Sequence, residues 1–397
     1  MSGSSTAALV ARFAPVFDEV GADAVTRERE RRLPFAEVEA LRAAGFTRVT
    51  LPVEFGGAGA SASTLFELLA ELARRDPNLA QLLRSHFSFV DRALHAEPGP
   101  RRDRQLSLVA EGLIHGNATF ERSSAAVGTV ATALTRDHDG LRLDGRKFYS
   151  TGTLFADVVS VLAEHDGAQV GVMVRTDADG LERIDDWAGF GQRMTGSGST
   201  VFENVRVADD DVSPRGGDGV SHAGAFVQLV LLAAATGIGR AVTDDAAAFV
   251  RGRTRGFSHG SGTVPREDPI VQEVVDELAA ASFAADAALA AASRAIDASS
   301  EAVRSGDADA ARSAVAAADL AVTSAQLVIL PAVLDAATRL FEVGGASALD
   351  LDRALDRHWR NARTLASHNP SRYKSRALGD HLVNHTPLAS WWSVGEA

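Results

Sequence analysis

Cysteine is absent from this 397-residue chain, which removes disulfides, thiolate nucleophiles, iron–sulfur clusters and cysteine zinc sites together. That usage suits a cytosolic protein. Lysine is almost absent too: Lys147 and Lys374 are the two lysines among 40 basic residues, and the rest are arginine. An arginine by itself therefore flags no phosphate site here. The net charge of −12 argues against a general binder of nucleic acid or of anionic membranes. The opening MSGSSTAALVARFAP lacks the apolar core of a signal peptide. The run VQLVLLAAATGIG (227–239) is too short and too often broken by glycine to span a bilayer, so a soluble protein is expected.

Apolar residues make up 46% and charged residues 23%, ordinary values for a globular protein long enough to bury a core. The first hundred or so residues carry helical periodicity. FAEVEALRAAGF (35–46) places Phe35, Val38, Leu41 and Ala44 on one face and stops at Gly45. STLFELLAELARRD (63–76) and NLAQLLRSHFSFVDRALH (78–95) are two further amphipathic helices, the second opened by Asn78 as its cap. Near residue 116 the texture changes to short alternating runs punctuated by Asp-Gly, the pattern of antiparallel hairpins. No βαβ rhythm occurs, so no Rossmann domain is expected. From about residue 221 the pattern is helical again, Ala-rich, with Val274, Leu278, Phe283 and Ile296 spaced as one buried stripe. A later long helix is expected to kink at Pro331. The expected fold is mainly α with a central β domain: helices over 1–115, a β-barrel-like middle over 116–218, and a helical bundle over 219–397.

Several motifs invite chemistry. Gly189-x-Gly191 and Gly237-x-Gly239 lack the third glycine and the strand-to-helix context of a nucleotide loop, so they are read as turn glycines. His381 and His385 stand four apart, but no carboxylate lies between them and Pro387 follows, so no metal is expected. His86, in RSHFSFVDRAL, is either a core histidine beside Phe87 and Phe89 or a functional one. KFYSTG (147–152) ends a strand in a polar turn. RGRTRGF (251–257) is either a phosphate clamp or a solvated helix face. His368 and Asn369 precede Pro370, which disfavours helix before it and places them on a turn.

Together these segments resemble the acyl-CoA dehydrogenase superfamily over nearly the whole chain: LPVEFGGAGAS, FENVRV, and EVGGAS followed by RHWRNAR. SHFSFV, HGNATFER, GRKFYSTGTLFADVVSVLAE, IDDWAGFGQRMTGSGST and DRHWRNARTLASHNPSRYK resemble its flavin-dependent monooxygenase branch, which holds the dibenzothiophene monooxygenases and sulfur-acquisition oxidoreductases. Where the dehydrogenases carry a glutamate base followed by Gly-Thr, this chain has Ser367-His368-Asn369-Pro370.

The resemblance implies a two-component oxidoreductase. It would use reduced FMN, FAD being the less favoured cofactor, and O2, through a hydroperoxyflavin, on a small organosulfur or similar heteroatom substrate. An NAD(P)H-dependent flavin reductase would supply the flavin, since no NAD(P)H domain is evident. A cytoplasmic homotetramer is the superfamily expectation. By the same resemblance His368, His86 and Ser150 are catalytic. Asn117, Ser150, Thr151, Arg253 or Arg255, Gly344, Gly345, His368 and Asn369 hold the flavin. His86, Phe120 and Trp187 line the substrate pocket. Phe120 departs from the branch, which has a small hydroxyl residue before Glu121. An FAD-dependent acyl-CoA dehydrogenase and a non-catalytic flavin-binding protein remain the alternatives.

Overall fold

A computed structural model describes residues 5–122, 129–215 and 220–389. The chain opens with seven helices: α1 (Thr6–Gly21), α2 (Ala24–Glu30), α3 (Phe35–Ala43), α4 (Ala62–Arg75), α5 (Pro77–Leu82), α6 (Arg84–His95) and α7 (Pro100–Ala110). Ser61 caps α4 by accepting from Thr64 N, and Gly45 ends the α3 region in the left-handed conformation (φ 78°). Phe13, Phe17, Phe46 and Phe87 interlock edge to face at the centre of this unit.

Two helical expectations need correction. The segment 78–95 is two helices, not one. Asp76 accepts from Asn78 N and caps α5, while Asn78 turns its amide onto Asp76 and Met194. Phe35 is half exposed rather than on the buried face of α3, although its ring lies 4.8 Å from that of Phe155.

Eight strands follow: β1 (His115–Ala118), β2 (Ala133–Asp137), β3 (Gly140–Lys147), β4 (Val158–His165), β5 (Ala168–Arg175), β6 (Leu181–Ile184), β7 (Ser199–Val207) and β8 (Val212–Pro214). Their order is β6-β7-β3-β2-β4-β5-β8, with β1 parallel to β4. β2–β3 and β4–β5 are antiparallel hairpins; the second turns at Asp166-Gly167, both at positive φ, as a tight two-residue turn requires. The sheet is mixed, and no ladder joins β6 to β8 among the described residues. The expected boundary at residue 218 lies outside them.

The bundle consists of α8 (Ala223–Gly252), α9 (Pro269–Ser305), α10 (Ala308–Arg339), α11 (Asp356–His368) and α12 (Ser371–Asn384). α10 runs through Pro331 as one helix. On α9 the buried stripe is Leu278, Ser282, Ala285, Leu289, Ala292 and Ile296. Phe283 is exposed, because a step of five residues from Leu278 turns about 140° away from that face.

Gly237 is not a turn glycine. It sits inside α8 where a Cβ would come within 2.4 Å of the Ala70 carbonyl oxygen, so glycine lets α8 and α4 cross closely. By length and hydropathy α8 and α10 could each cross a membrane, contrary to the reading of 227–239 as too short. Both are bundle helices here, and 89% of the apolar window of α8 is buried in protein.

Candidate active site

The C-terminal end of α11 is where the motifs converge. His368 is its last helical residue and Asn369 is extended, so the turn begins one residue later than Pro370 alone suggested. Two glutamines fix this end across the bundle. Gln326 Nε2 on α10 donates to the Asn369 carbonyl at 2.9 Å, and the Asn369 amide donates to Gln228 Oε1 on α8. At mid-helix, Arg360 and Asn361 reach Glu28 on α2, and Asn361 Oδ1 accepts from Gln192 N. Gly191 makes that last approach possible, since a Cβ there would lie 2.0 Å from the Arg360 carbonyl oxygen.

The loop holding Gln192 also carries the end of β3. Gly152 N donates to Thr195 O at 2.9 Å, Ser150 N donates to Gly198 O at 3.1 Å, and the Thr151 and Thr195 hydroxyls both meet Ser197 Oγ. Tyr149 occupies the left-handed region (φ 57°), a costly conformation for a tyrosine that reverses the chain immediately before Ser150. Ser150 Oγ is buried without a partner, and so are both amide atoms of Gln192, which is itself left-handed (φ 51°). The start of α6 closes this wall: Ser85 Oγ faces Thr151 O at 3.5 Å, and a Cβ on Gly152 would lie 2.1 Å from the Leu82 carbonyl oxygen.

The electrostatics of this end are one-sided. His368 is an exposed residue at the end of α11. Desolvation first, then the Arg84 guanidinium, lowers its pKa, and a hydrogen bond with Asn369 opposes them. His368 is therefore neutral at pH 7, and no carboxylate is among the groups acting on it. Arg84 is buried with no hydrogen-bond or ion-pair partner at Nη1, and desolvation lowers it to about 10.

The resemblance sets His86 toward a substrate, and the structure sets it inside the core. Its side chain is fully enclosed. Nε2 donates to Thr47 O at 2.7 Å and Nδ1 accepts from His115 N at 3.2 Å, leaving no ring nitrogen free. It ties α6 to β1 and to the turn before Leu51.

The remaining expected residues divide between two places. Asn117 lies on β1, tied to Thr153 Oγ1 and accepting from Thr119. Trp187 is half buried, 6.1 Å ring to ring from Tyr149, beside Ser150. Phe120 is partly exposed, and its carbonyl accepts from Phe148 N. Its neighbour Glu121 holds Lys147 and the Thr132 main chain; although burial opposes it, these bonds bring the carboxyl down to about 2. Burial lowers Lys147 as well, so the two shifts oppose each other over its charge. The close contact and the extra donors on Glu121 favour the ion pair.

Arg253, Gly344 and Gly345 meet elsewhere. Arg253 Nη1 donates to Val343 O at 2.7 Å, Gly344 packs on Phe249 and Gly345 on Phe257, while Arg255 points to solvent. The 22 residues of α8 from Gln228 to Phe249 span about 32 Å. Within one chain these glycines and Arg253 therefore stand at the opposite end of the bundle from His368.

Some polar groups carried no sequence signal. Tyr149 and Gln192 lie inside quoted motifs, but only their backbone conformations single them out. Arg84 is one arginine among many. Two turns along α6, donor atoms of Asp91, His95 and His222 lie within 4.8 Å of one another, with Ser299 Oγ 2.9 Å from His222 Nδ1. His222 is remote in sequence, so that cluster was not legible either. The His381 ring meets the Thr386 carbonyl at 2.9 Å, and His385 is a left-handed helix cap.

The family models for the acyl-CoA dehydrogenase N-terminal and C-terminal domains match residues 6–97 and 229–372, so the chain has the acyl-CoA dehydrogenase fold. The dibenzothiophene monooxygenase of Mycolicibacterium goodii is 31% identical over 91% of this chain and 90% of its own length. Among solved structures, FMN-bound TdsC from Paenibacillus sp. A11-2 has a TM-score of 0.83 at 28% identity, covering 95% of this chain and 98% of that one. Methanesulfinate monooxygenase MsuC from Pseudomonas fluorescens has a TM-score of 0.84 at 25% identity, covering 96% and 98%. The chain belongs to the flavin-dependent monooxygenase branch of the acyl-CoA dehydrogenase superfamily.

Proposed function

We propose that this protein is a two-component monooxygenase that takes reduced FMN from a separate NAD(P)H-dependent reductase. It would use O2 to oxygenate a small organosulfur compound or a similar soft heteroatom in the cytoplasm. The observation that carries this reading is the C-terminal end of α11. A neutral histidine stands where a dehydrogenase needs its carboxylate, close to a polar cradle with unmet hydrogen-bonding atoms.

The residues present fit a flavin ring. Ser150 Oγ and the Gln192 amide are enclosed and unpartnered in the protein alone, and buried polar atoms in that state are ordinarily satisfied by a ligand or water. When bound, reduced FMN supplies two electrons and activates dioxygen for transfer of one oxygen atom. The protein's own groups do the rest. Ser150 offers a hydroxyl to the polar edge of the ring. Asn369, pinned by Gln228 and Gln326, fixes the height of His368. The neutral imidazole can accept one proton and donate a hydrogen bond, acid–base help worth about 10² to 10⁴ in rate. Tyr149, Trp187 and Phe120 wall the approach and limit water. Arg253 serves the phosphate of a flavin bound to a neighbouring subunit of a homotetramer, whereas the Gly344–Gly345 turn matches the region that holds the adenine end of FAD in dehydrogenases and has no partner in FMN.

The test is rapid mixing of the protein and anaerobically reduced FMN with oxygenated buffer, following flavin absorbance. A transient species preceding oxidised flavin is expected. Featureless reoxidation at the free-flavin rate would overturn the reading, and bleaching of bound FAD by an acyl-CoA thioester would replace it with a dehydrogenase.

A further inference from the structure

Arg27 and Arg84 are the buried arginines among the described residues, and their surroundings differ. Arg27, 1% exposed, donates to Glu37, Asp76 and the Val20 carbonyl. Arg240 is held by Glu67, Glu71 and Asp286. Arg84, 8% exposed, has no carboxylate or carbonyl partner among the described residues, and its Nη1 is fully enclosed. A buried guanidinium left unpaired is costly, so a fold that keeps one is expected to pair it with an anion from outside the chain.

Its position says where that anion would lie. Arg84 is the first residue of α6; its neighbour Ser85 meets Thr151 O, one residue beyond the unpartnered Ser150 hydroxyl. Across the gap it acts on His368, which it helps to keep uncharged. The wall between the β3 end and the α11 end therefore carries one uncompensated positive charge, and that charge is a planar fork. Such a fork matches two oxygens, or an oxygen and a nitrogen, sharing one negative charge.

We propose that Arg84 is an anion-receiving group of this site and takes a delocalised monoanion by its two-atom edge. The proposal rests on the monooxygenase reading for the rest of the pocket's contents. Two sources share this chemistry: a substrate sulfinate, sulfonate or carboxylate, and the anionic N1–C2=O edge of reduced flavin.

The experiment compares wild-type protein with Arg84→Gln and Arg84→Lys. Each is titrated with methanesulfinate and with uncharged dimethyl sulfone, without flavin, and then anaerobically with oxidised and with reduced FMN. Thermal unfolding of the unliganded proteins is read alongside. Arg84→Gln is expected to unfold at a higher temperature than wild type. It should also lose at least fivefold affinity either for methanesulfinate but not the sulfone, or for reduced but not oxidised FMN; Arg84→Lys keeps part of that affinity. The first pattern assigns the anion to the substrate and the second to the flavin.

Less than fivefold change in both comparisons overturns the proposal. So does an equal loss for both redox states of FMN with no loss specific to methanesulfinate, and so does an Arg84→Gln chain that cannot fold, because the cation would then be structural. The methanesulfinate titration needs neither flavin nor oxygen. Failure of the protein to bind FMN would thus sink the monooxygenase reading without touching this result.

Discussion

His368 and His86 are both neutral histidines, and their surroundings give them opposite uses. His368 is exposed at the end of α11, so truncating it removes little packing. His368→Ala should unfold within about 0.5 kcal/mol of wild type in urea. Oxygen consumption by reduced FMN should continue while product yield falls about 10²-fold and hydrogen peroxide takes its place. Normal product yield in that variant would remove His368 from the mechanism. His86 is sealed in, and burial, outweighing its bond to Thr47, lowers it to about 4. Between pH 6.5 and 4 the unfolded chain binds a proton that folded His86 refuses. Stability therefore falls as pH falls through this window, by up to about 3 kcal/mol from this group. His86→Gln should be less stable at pH 7 by about 1–3 kcal/mol, and the gap to wild type should narrow at pH 5. Urea unfolding at the two pH values measures this, and a constant gap would refute it.

At the scale of elements, the site depends on close approaches that side chains would block. Gly152 combines a left-handed backbone (φ 81°) with a Cβ position 2.1 Å from the Leu82 carbonyl oxygen. Gly152→Ala must push the β3 end away from α6, costing about 2 kcal/mol or more. It should also weaken FMN binding, because Ser150 moves with the turn; fluorescence titration of FMN reads the second effect. Which glycines are turns and which are crossings could not be told from spacing. Gly237 and Gly191 belong to similar Gly-x-Gly pairs, yet one sits inside α8 against α4 and the other seats a loop on α11. Hydrophobic periodicity located the helices well. It failed where a cap interrupts a run, as at Asp76, and where a residue is apolar but off the stripe, as Phe283 is.

For the whole molecule, the separation along α8 has a consequence for assembly. If Arg253 serves the phosphate while Ser150 and His368 serve the ring, the two sets belong to different subunits. Arg253→Met and Ser150→Ala should each weaken FMN binding about tenfold as pure proteins, the loss of a charged or buried hydrogen bond. Co-expressed in one oligomer, they should regain a fraction of sites with wild-type affinity, because some sites then take both intact groups. A mixture with no wild-type sites would place both sets in one subunit. The same reasoning makes FMN affinity fall on dilution below the dissociation constant of the oligomer.

The sequence by itself determined the order of helices, strands and bundle through periodicity, excluded cysteine chemistry, and marked the missing carboxylate at His368 through its motifs. Those are local properties, written in adjacent residues. Tertiary structure decided what depends on residues far apart. It turned His86 into a fastener, because two main-chain groups from distant segments occupy its ring nitrogens. It set Arg253 at the other end of the bundle from His368. And among the described residues it left Arg84 Nη1 without a partner, since whether a buried cation is paired depends on which distant carboxylates fold against it.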